Sequence, residues 1–390
     1  MSLASFITTH ATDDVSQLAL QRNRYSDLSD ADFTFALQQI DGKHRAKDKL
    51  SFTLQYDDWL YPRHLSLEQC SSETTARYKA EVLKQNQCKH TSLCDLTGGY
   101  GIDTLFMSSL FSEVHYVEWQ QELCQIAQHN FSLLNSHIQV HNADAGEFLR
   151  QMSPVDVIYV DPARRNSAGG KVFRMEDCEP NLPELLPLIK QKCSTLLVKL
   201  SPMLDVTVAL HQLPEAVQVQ VVALKGEMKE VLLLCQFNIA SPNTSIPIVA
   251  VNLESGQPSL TFTPLQEQNA QSAMAEAIDT FLYEPNAAIL KAGAFRYVAE
   301  HFHLQKLDAN THLYTSSELI NDFPGRIFRV VAPADRKKLK GKKVNVLSRN
   351  HPLSANQLYT RFQLKEGGTE WLIATQLQHR SVLLLAEKLN

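Results

Sequence analysis

Four carboxylates stand at or near the ends of four successive apolar segments. They are Asp95 in Cys94-Asp95-Leu96-Thr97-Gly98-Gly99-Tyr100-Gly101, Glu118 in Val117-Glu118-Trp119, Asp144 in Asn142-Ala143-Asp144-Ala145, and Asp161 in Asp161-Pro162-Ala163-Arg164-Arg165. The glycines after Asp95 let backbone approach a ligand where a Cβ or a positive φ would otherwise be penalised. A helix opening near Asp103 aims its amide groups at the same spot, which suits a carboxylate or phosphate. Glu118 at a strand end can accept both hydrogen bonds of a ribose diol. A helix N-cap accounts for any one such acid, Asp144 above all. Four on one edge point to a ligand.

Asp161 and the backbone at Pro162 can accept hydrogen bonds from an amine and leave its lone pair aimed at an electrophile. Arg164, Arg165 and Arg174 flank the same loop, whose middle reads Asn166-Ser167-Ala168-Gly169-Gly170. Guanidinium groups suit bidentate phosphate contacts; the alternative is an ion-pair cluster with Glu176, Asp177 and Glu179. Lys199, near the end of the next apolar segment, could reach into the pocket, but the expectation for a strand-end lysine is solvation. His351 is expected in a turn or at the surface.

Strands and helices in alternation must position these groups. The pattern gives strands at 92–96, 114–118, 138–143, 155–161 and 195–200, separated by helices over 103–111 and 182–192 and by one with Leu123, Ile126, Ala127, Phe131 and Leu134 on one face. Such alternation predicts a parallel, doubly wound sheet whose strand carboxyl ends form one ligand edge. Segments 217–224 and 230–237 read as a final antiparallel pair. Before residue 87 the chain reads as helical, with Ser29 or Asp30 capping a helix over 30–40 and Ser71 or Ser72 opening another. Residues 241–278 hold turn formers and predict a boundary. Beyond them Pro285 is expected in the first turn of a helix bearing Ile289, Leu290, Ala294 and Val298. Strands follow at 326–332 and 343–347. Gly367-Gly368 is expected to join 359–364 to 369–377 as a hairpin.

These motifs resemble those of class I S-adenosylmethionine-dependent methyltransferases: DLTGGYG the first, VEW the second, NAD the third and DPARR the fourth. The wider chain resembles a bacterial family of such enzymes with a C-terminal THUMP-like domain, through LSLEQCSSETTARYKA, YEPNAAILKAGAF and SRNHPLS with its EGG turn. The resemblance implies a Rossmann-like α/β methyltransferase sheet, preceded by a helical N-terminal region and followed by a small α+β (ferredoxin-like/THUMP-like) module. The expected limits are 1–87 for the helical part, 88–265 for the methyltransferase domain, 275–322 for the ferredoxin-like segment and 323–390 for the THUMP-like domain. It also implies that Asp95, Thr97, Gly99, Gly101, Glu118, Asp144 and Asp161 bind S-adenosylmethionine. Glu118 would hold the ribose and Asp144 the adenine amino group, with Asp161, Pro162 and Arg164 as catalytic candidates.

The sequence departs from two relatives of that motif. Amino-methylating enzymes carry an aromatic after two prolines, where this chain has Ala163 and Arg164, so a base-stacking ring is missing. Uridine C5-methyltransferases attack with a cysteine on the next strand end, where this chain reads Val198-Lys199-Leu200-Ser201-Pro202. Covalent catalysis is therefore disfavoured, and direct transfer to nitrogen or oxygen is expected.

Composition bounds the partners. With 390 residues, 44% hydrophobic and 20% charged, the chain is globular and of more than one domain. No apolar run reaches the ~20 residues of a membrane span, and the first residues do not resemble a secretory signal. Seven scattered cysteines without a CxxC pair argue against disulfides or a metal site and fit the cytoplasm. The net charge of -5 hides a basic stripe: between Arg326 and Lys365 eleven Lys or Arg face one acid, Asp335. Lys337, Lys338 and Lys340 in it, with Arg165 and Arg174, are candidate RNA contacts; the alternative for the stripe is an ordinary solvated surface. The expected substrate is RNA, either tRNA or rRNA. Alternatives are an RNA-binding protein with a relict cofactor fold, and an NAD-dependent oxidoreductase. The last needs a third glycine where Thr104 stands and a hydride-transfer site that nothing here resembles.

Overall fold

The computed structural model describes residues 2–86, 89–134, 136–164, 175–237 and 245–390. Two compact units result, one of Met1–Lys199 with Cys235–Asn238, the other of Leu200–Leu234 with Ile239–Asn390.

The first unit begins with helices α1 (Leu3–Thr9), α2 (Val15–Leu20), α3 (Asp30–Lys49), α4 (His64–Gln69) and α5 (Glu73–Gln85). The Ser29 hydroxyl caps α3 by accepting from the Asp32 amide, and Ser72 does the same for α5 at Thr75. Asp30 and Asp32 in the first turn of α3 and Lys47 and Lys49 in its last complement the helix dipole. Phe6, Leu18, Leu28, Phe33, Ala36 and Ile40 form one buried cluster of this region.

Then come β1 (Ser92–Asp95), α6 (Ile102–Ser108), β2 (Glu113–Glu118), α7 (Gln121–Leu133), β3 (Ile138–Asn142), α8 (Ala145–Gln151), β4 (Val155–Val160), α9 (Leu182–Lys192) and β5 (Cys193–Leu200). The strands pair in the order β3-β2-β1-β4-β5, all parallel. All four residues of β1 and the last four of β4 are buried, as strands covered by helices on both faces must be. The chain runs outward from β1 to β3 and then returns to β4 on the other side of β1. That reversal lies at the carboxyl ends of β1 and β4, where doubly wound sheets bind ligands in a crevice.

The second unit opens with α10 (Val206–Gln212), β6 (Ala216–Leu224), β7 (Glu227–Gln236), β8 (Ile248–Leu253), β9 (Leu260–Phe262) and α11 (Pro264–Asn269). The expected boundary at 241–278 thus contains regular structure. Ile248, Ala250 and Asn252 alternate as buried residues along β8, which pairs in parallel with β6. A strand of only six residues is easily lost among turn formers.

A seven-stranded sheet follows. Its elements are β10 (Phe281–Pro285), α12 (Ala287–Ala292), α13 (Phe295–His301), β11 (Gln305–Asp308), β12 (Thr311–Ser316), β13 (Gly325–Pro333), β14 (Asn345–Ser348), α14 (Ala355–Phe362), β15 (Glu370–Leu377) and β16 (Arg380–Lys388), and its order is β11-β12-β10-β13-β16-β15-β14. Two expectations are corrected here. Pro285 ends strand β10 and does not start a helix; Asn286 caps α12 instead, accepting from the Ile289 amide. Residues 355–362 are helical, because Ser354 and Gln357 form a capping box. The hairpin joins β15 to β16 across Gln378 and His379, whose φ angles of 46° and 66° give the left-handed two-residue turn that matches strand twist. No described helix is long and apolar enough to cross a membrane.

Candidate functional site

The turn between β1 and α6 is built around glycine. Gly99 and Gly101 have φ of +53° and +84°, values that side chains disfavour. A Cβ on Gly98 would stand 2.2 Å from the Tyr116 side chain. The Tyr116 hydroxyl in turn donates to the Gly99 carbonyl at 2.5 Å, so the aromatic ring and the turn define each other.

Asp95 lies beneath this turn and is 1% exposed. One carboxylate oxygen accepts from the Thr97 amide at 2.9 Å and the other from the Thr104 hydroxyl at 2.5 Å. Burial pushes its carboxyl up to about 7, against the pull of those two hydrogen bonds; the charges of Asp103 and Asp161 add to the rise. Thr104 therefore occupies the third-glycine position as a donor to Asp95.

Glu118 closes the turn from β2. Its two oxygens accept from the Gly99 amide at 3.0 Å and the Gln120 amide at 2.8 Å. Each oxygen keeps a second lone pair. The Ala143 amide donates to the Glu118 carbonyl at 3.1 Å, which brings Asp144 alongside. Asp144 itself caps α8, accepting from the Glu147 amide at 3.0 Å, so the helix-cap role holds for one of its oxygens.

Thr97 ties the first strand to the fourth. Its hydroxyl accepts from the Asp161 amide at 2.6 Å while lying 3.4 Å from the Asp95 carboxylate. The Asp161 side chain extends toward β5, where the Lys199 ammonium donates to it at 2.5 Å. Lys199 is thus paired and only 13% exposed in its side chain, which corrects the expectation of a solvated strand-end lysine. Residues Ala163 and Arg164 then pair antiparallel with Glu179 and Cys178. Arg165 and Arg174 lie outside the described residues, as does the side chain of Arg164.

A second layer of charge supports this edge. Asp103, in the first turn of α6, accepts from the Tyr159 hydroxyl and the Ser71 hydroxyl, both at 2.8 Å, and meets the Lys79 ammonium at 3.2 Å. Lys79 is completely buried and also donates to the Ser71 hydroxyl at 3.0 Å. Burial opposes ionisation of Asp103, yet Lys79, Lys199, Ser71 and Tyr159 together hold its carboxyl below the usual range. Helix α5 and the residues just before it therefore supply partners of an acid in the first turn of α6.

Comparison with known proteins decides the family. A crystal structure from Porphyromonas gingivalis W83, carrying a methyltransferase assignment, is 33% identical, covers 100% of this chain and 98% of its own, and superposes with a TM-score of 0.87. The chain belongs to the class I S-adenosylmethionine-dependent methyltransferases with a C-terminal THUMP-like domain. Within it a ferredoxin-like domain matches residues 281–324 and a THUMP domain-like family matches 325–388. Two further structures are similar over less than half of the chain. One is a Streptococcus mutans protein assigned as a methyltransferase, in complex with SAH, at 15% identity, 41% of this chain, 95% of that one and TM-score 0.32. The other is the Thermus thermophilus 16S rRNA N2 G1207 methyltransferase with AdoMet and guanosine, at 18% identity, 45% of this chain, 43% of that one and TM-score 0.32. No curated protein matches.

In this family member the structure gathers Asp95, Thr97, Gly99, Gly101, Glu118 and Asp161 around one turn, with Pro162 beside Asp161 and Asp144 at the rim. Lys337, Lys338 and Lys340 belong to the second unit, exposed on a turn anchored by the buried Leu339. Among the described residues none of these three has an ion-pair partner. Four other cations of the stripe do: Arg326 and Arg349 share Glu284, Arg329 meets Glu387 and Lys342 meets Glu370. His351 sits in a turn, its ring nitrogen accepting from the Leu353 amide at 3.1 Å. Lys79 is the residue that sequence reasoning missed; Asp103 entered only as a helix start, and the pairing of Lys199 with Asp161 was not foreseen. A signal existed for Lys79, which falls on the apolar face of α5 between Thr75, Ala76, Val82 and Leu83. A lysine there needs a buried partner.

Proposed function

We propose that this chain transfers a methyl group from S-adenosylmethionine directly to a base nitrogen, or to an oxygen, of RNA. The observation that carries the reading is the convergence of Asp95, Gly99, Glu118 and Asp161 in one hydrogen-bonded turn at the switch point of the sheet. The residues present fit the cofactor. Glu118 offers its remaining lone pairs to the ribose hydroxyls, Asp144 its second oxygen to the adenine amino group, and the turn from Asp95 to Gly101 lines the methionine part. The cofactor supplies an electrophilic methyl group on a sulfonium. Asp161 and the backbone at Pro162 orient the nucleophile, and Lys199, standing where a covalent mechanism would place cysteine, fits direct transfer. Residues 88–265 are the transferring domain in this reading. The THUMP-like segment and the exposed Lys337, Lys338 and Lys340 guide the RNA, with Arg165 and Arg174 as further candidate RNA contacts and Arg164 as a catalytic candidate.

The test is to compare modified nucleosides of total tRNA and rRNA with and without the gene. A methyl mark lost on deletion and restored by the wild-type chain supports the reading. Cofactor binding without any lost mark would leave an RNA-binding protein with a relict cofactor fold.

Two outcomes follow from named residues. Asp95 titrates near 7, and a cationic amino-acid moiety beside it favours its charged form. Cofactor binding is therefore expected to release up to one proton near neutrality, and affinity to rise with pH and level off above about 7. Calorimetry in two buffers of different ionisation enthalpy measures this; equal heats at pH 6 and 7 would refute it. The sign for the free chain is opposite. The folded value of about 7 lies above the model-compound 3.8, so the contribution of Asp95 to stability is full below about 4 and is lost as pH rises through 7. Replacing Lys337, Lys338 and Lys340 together by alanine is expected to weaken RNA binding and to reduce the slope of log K against log salt by about 2–3. An unchanged slope would return that turn to ordinary surface.

A further inference from the structure

We propose that Lys199 and Asp161 together read the lactam edge of a guanine or uracil, and that the ring nitrogen of that edge accepts the methyl group. The inference rests on the transferase reading above and narrows its substrate. Strands β4 and β5 are adjacent and in register at Val160 and Val198, so the next residue of each, Asp161 and Lys199, emerges side by side. Their side chains meet at 2.5 Å and are 34% and 13% exposed. Thr97 holds the Asp161 backbone from one side. The Asp103 carboxylate lies within electrostatic reach of Lys199 from the other. The strand ends therefore present one acceptor and one cationic donor next to each other.

A lactam offers the complement at the same spacing: a carbonyl that accepts from the ammonium, beside an N–H that donates to the carboxylate. Charge decides between this edge and an exocyclic amine. An amine nitrogen becomes positive as it takes the methyl group, and an ammonium a few ångströms away opposes that. A lactam nitrogen has no available lone pair until its proton leaves, and the negative charge then develops largely on the neighbouring carbonyl oxygen. Lys199 stabilises that charge where it forms. Asp161 accepts the N–H proton, the freed nitrogen pair forms the N–CH3 bond, and the S–C pair remains on the sulfur as a neutral thioether. The proton is then lost to solvent, and no further reactant is needed.

The experiment uses the full chain, isotopically labelled S-adenosylmethionine and RNA from cells lacking the gene, with nucleoside mass spectrometry of the product. The expected label is 1-methylguanosine or 3-methyluridine. Lys199→Met is expected to lower kcat about a hundredfold with cofactor affinity unchanged and to move the pH profile upward; Lys199→Arg should recover part of the loss. A second readout needs no cofactor. The wild-type chain should bind the unmethylated RNA about tenfold more tightly than the methylated product, which has lost the N–H that Asp161 accepts, a preference that Asp161→Ala erases and Lys199→Met keeps. Label on an exocyclic amine, a ring carbon or a ribose oxygen overturns the lactam assignment and leaves the transferase reading standing. No label in any RNA, with cofactor bound, removes that reading and this inference with it. Product identity is read from the wild-type chain, so a misfolded variant does not blunt the test.

Discussion

Replacing Asp161 by alanine is expected to lower kcat for methyl transfer by about a hundred- to ten-thousand-fold while cofactor affinity changes by less than about threefold. The asymmetry follows from which atoms do what. The Asp161 amide donates to Thr97 and so helps hold the turn after β1, and alanine keeps that amide. The carboxylate faces Lys199 and the substrate side, and alanine removes it. Asp161→Asn separates charge from shape, since it keeps an acceptor oxygen but cannot take a proton. It should fall near the alanine variant if Asp161 is a base, and near wild type if it only orients. Single-turnover kinetics and calorimetry together check this. A tenfold or greater loss of cofactor affinity in Asp161→Ala would assign the residue to the cofactor instead.

Lys79→Met is expected to destabilise the first unit by about 3–5 kcal/mol, the range found when one partner of a buried ion pair is removed. The Lys79 side chain is 0% exposed and that of Asp103 11%. Removing the ammonium leaves the carboxylate with hydroxyl donors and the more distant Lys199. The Asp103 carboxyl should then rise, and the variant should lose further stability as pH climbs through its new value. Adding Asp103→Asn removes the stranded charge and should recover most of the loss. Urea denaturation of the two variants measures the coupling. A loss below about 1 kcal/mol for Lys79→Met would show that the pair contributes specificity and not stability.

How far the sequence was legible differs between the sheet and its supports. The parallel core and the placement of Asp95, Glu118, Asp144 and Asp161 followed from short apolar runs, because a strand covered on both faces must be apolar and an acid ending it stands out. Lys79 was not legible, and for Lys199 the sequence offered the pocket without its partner. A lysine is soluble by default, and only its tertiary partners, Asp103 and Asp161, make burial favourable. Near the C-terminus local turn chemistry misled in both directions. Gly367-Gly368 suggested a hairpin, whereas Gln378 and His379 adopt one without glycine. The Ser354–Gln357 capping box that starts α14 lay in plain view. Pro285 is compatible with a helix start and with a strand end alike, and its pairing with Gly325 of β13 decided the matter.

Tyr100 sits in the middle of the glycine turn, yet its side chain belongs to the helical region. Its hydroxyl accepts from the Trp59 indole at 2.7 Å and donates to the Leu60 carbonyl at 2.9 Å. Tyr100, Ile102 and Ile126 complete the cluster formed by Ala46, Leu50, Trp59, Tyr61, Leu67 and Ala76. A ligand that settles the turn thereby settles residues some forty positions upstream. Occupancy of the crevice should then be readable at a distance, as slower protease cutting and slower amide exchange along α3 to α5, before any product is made.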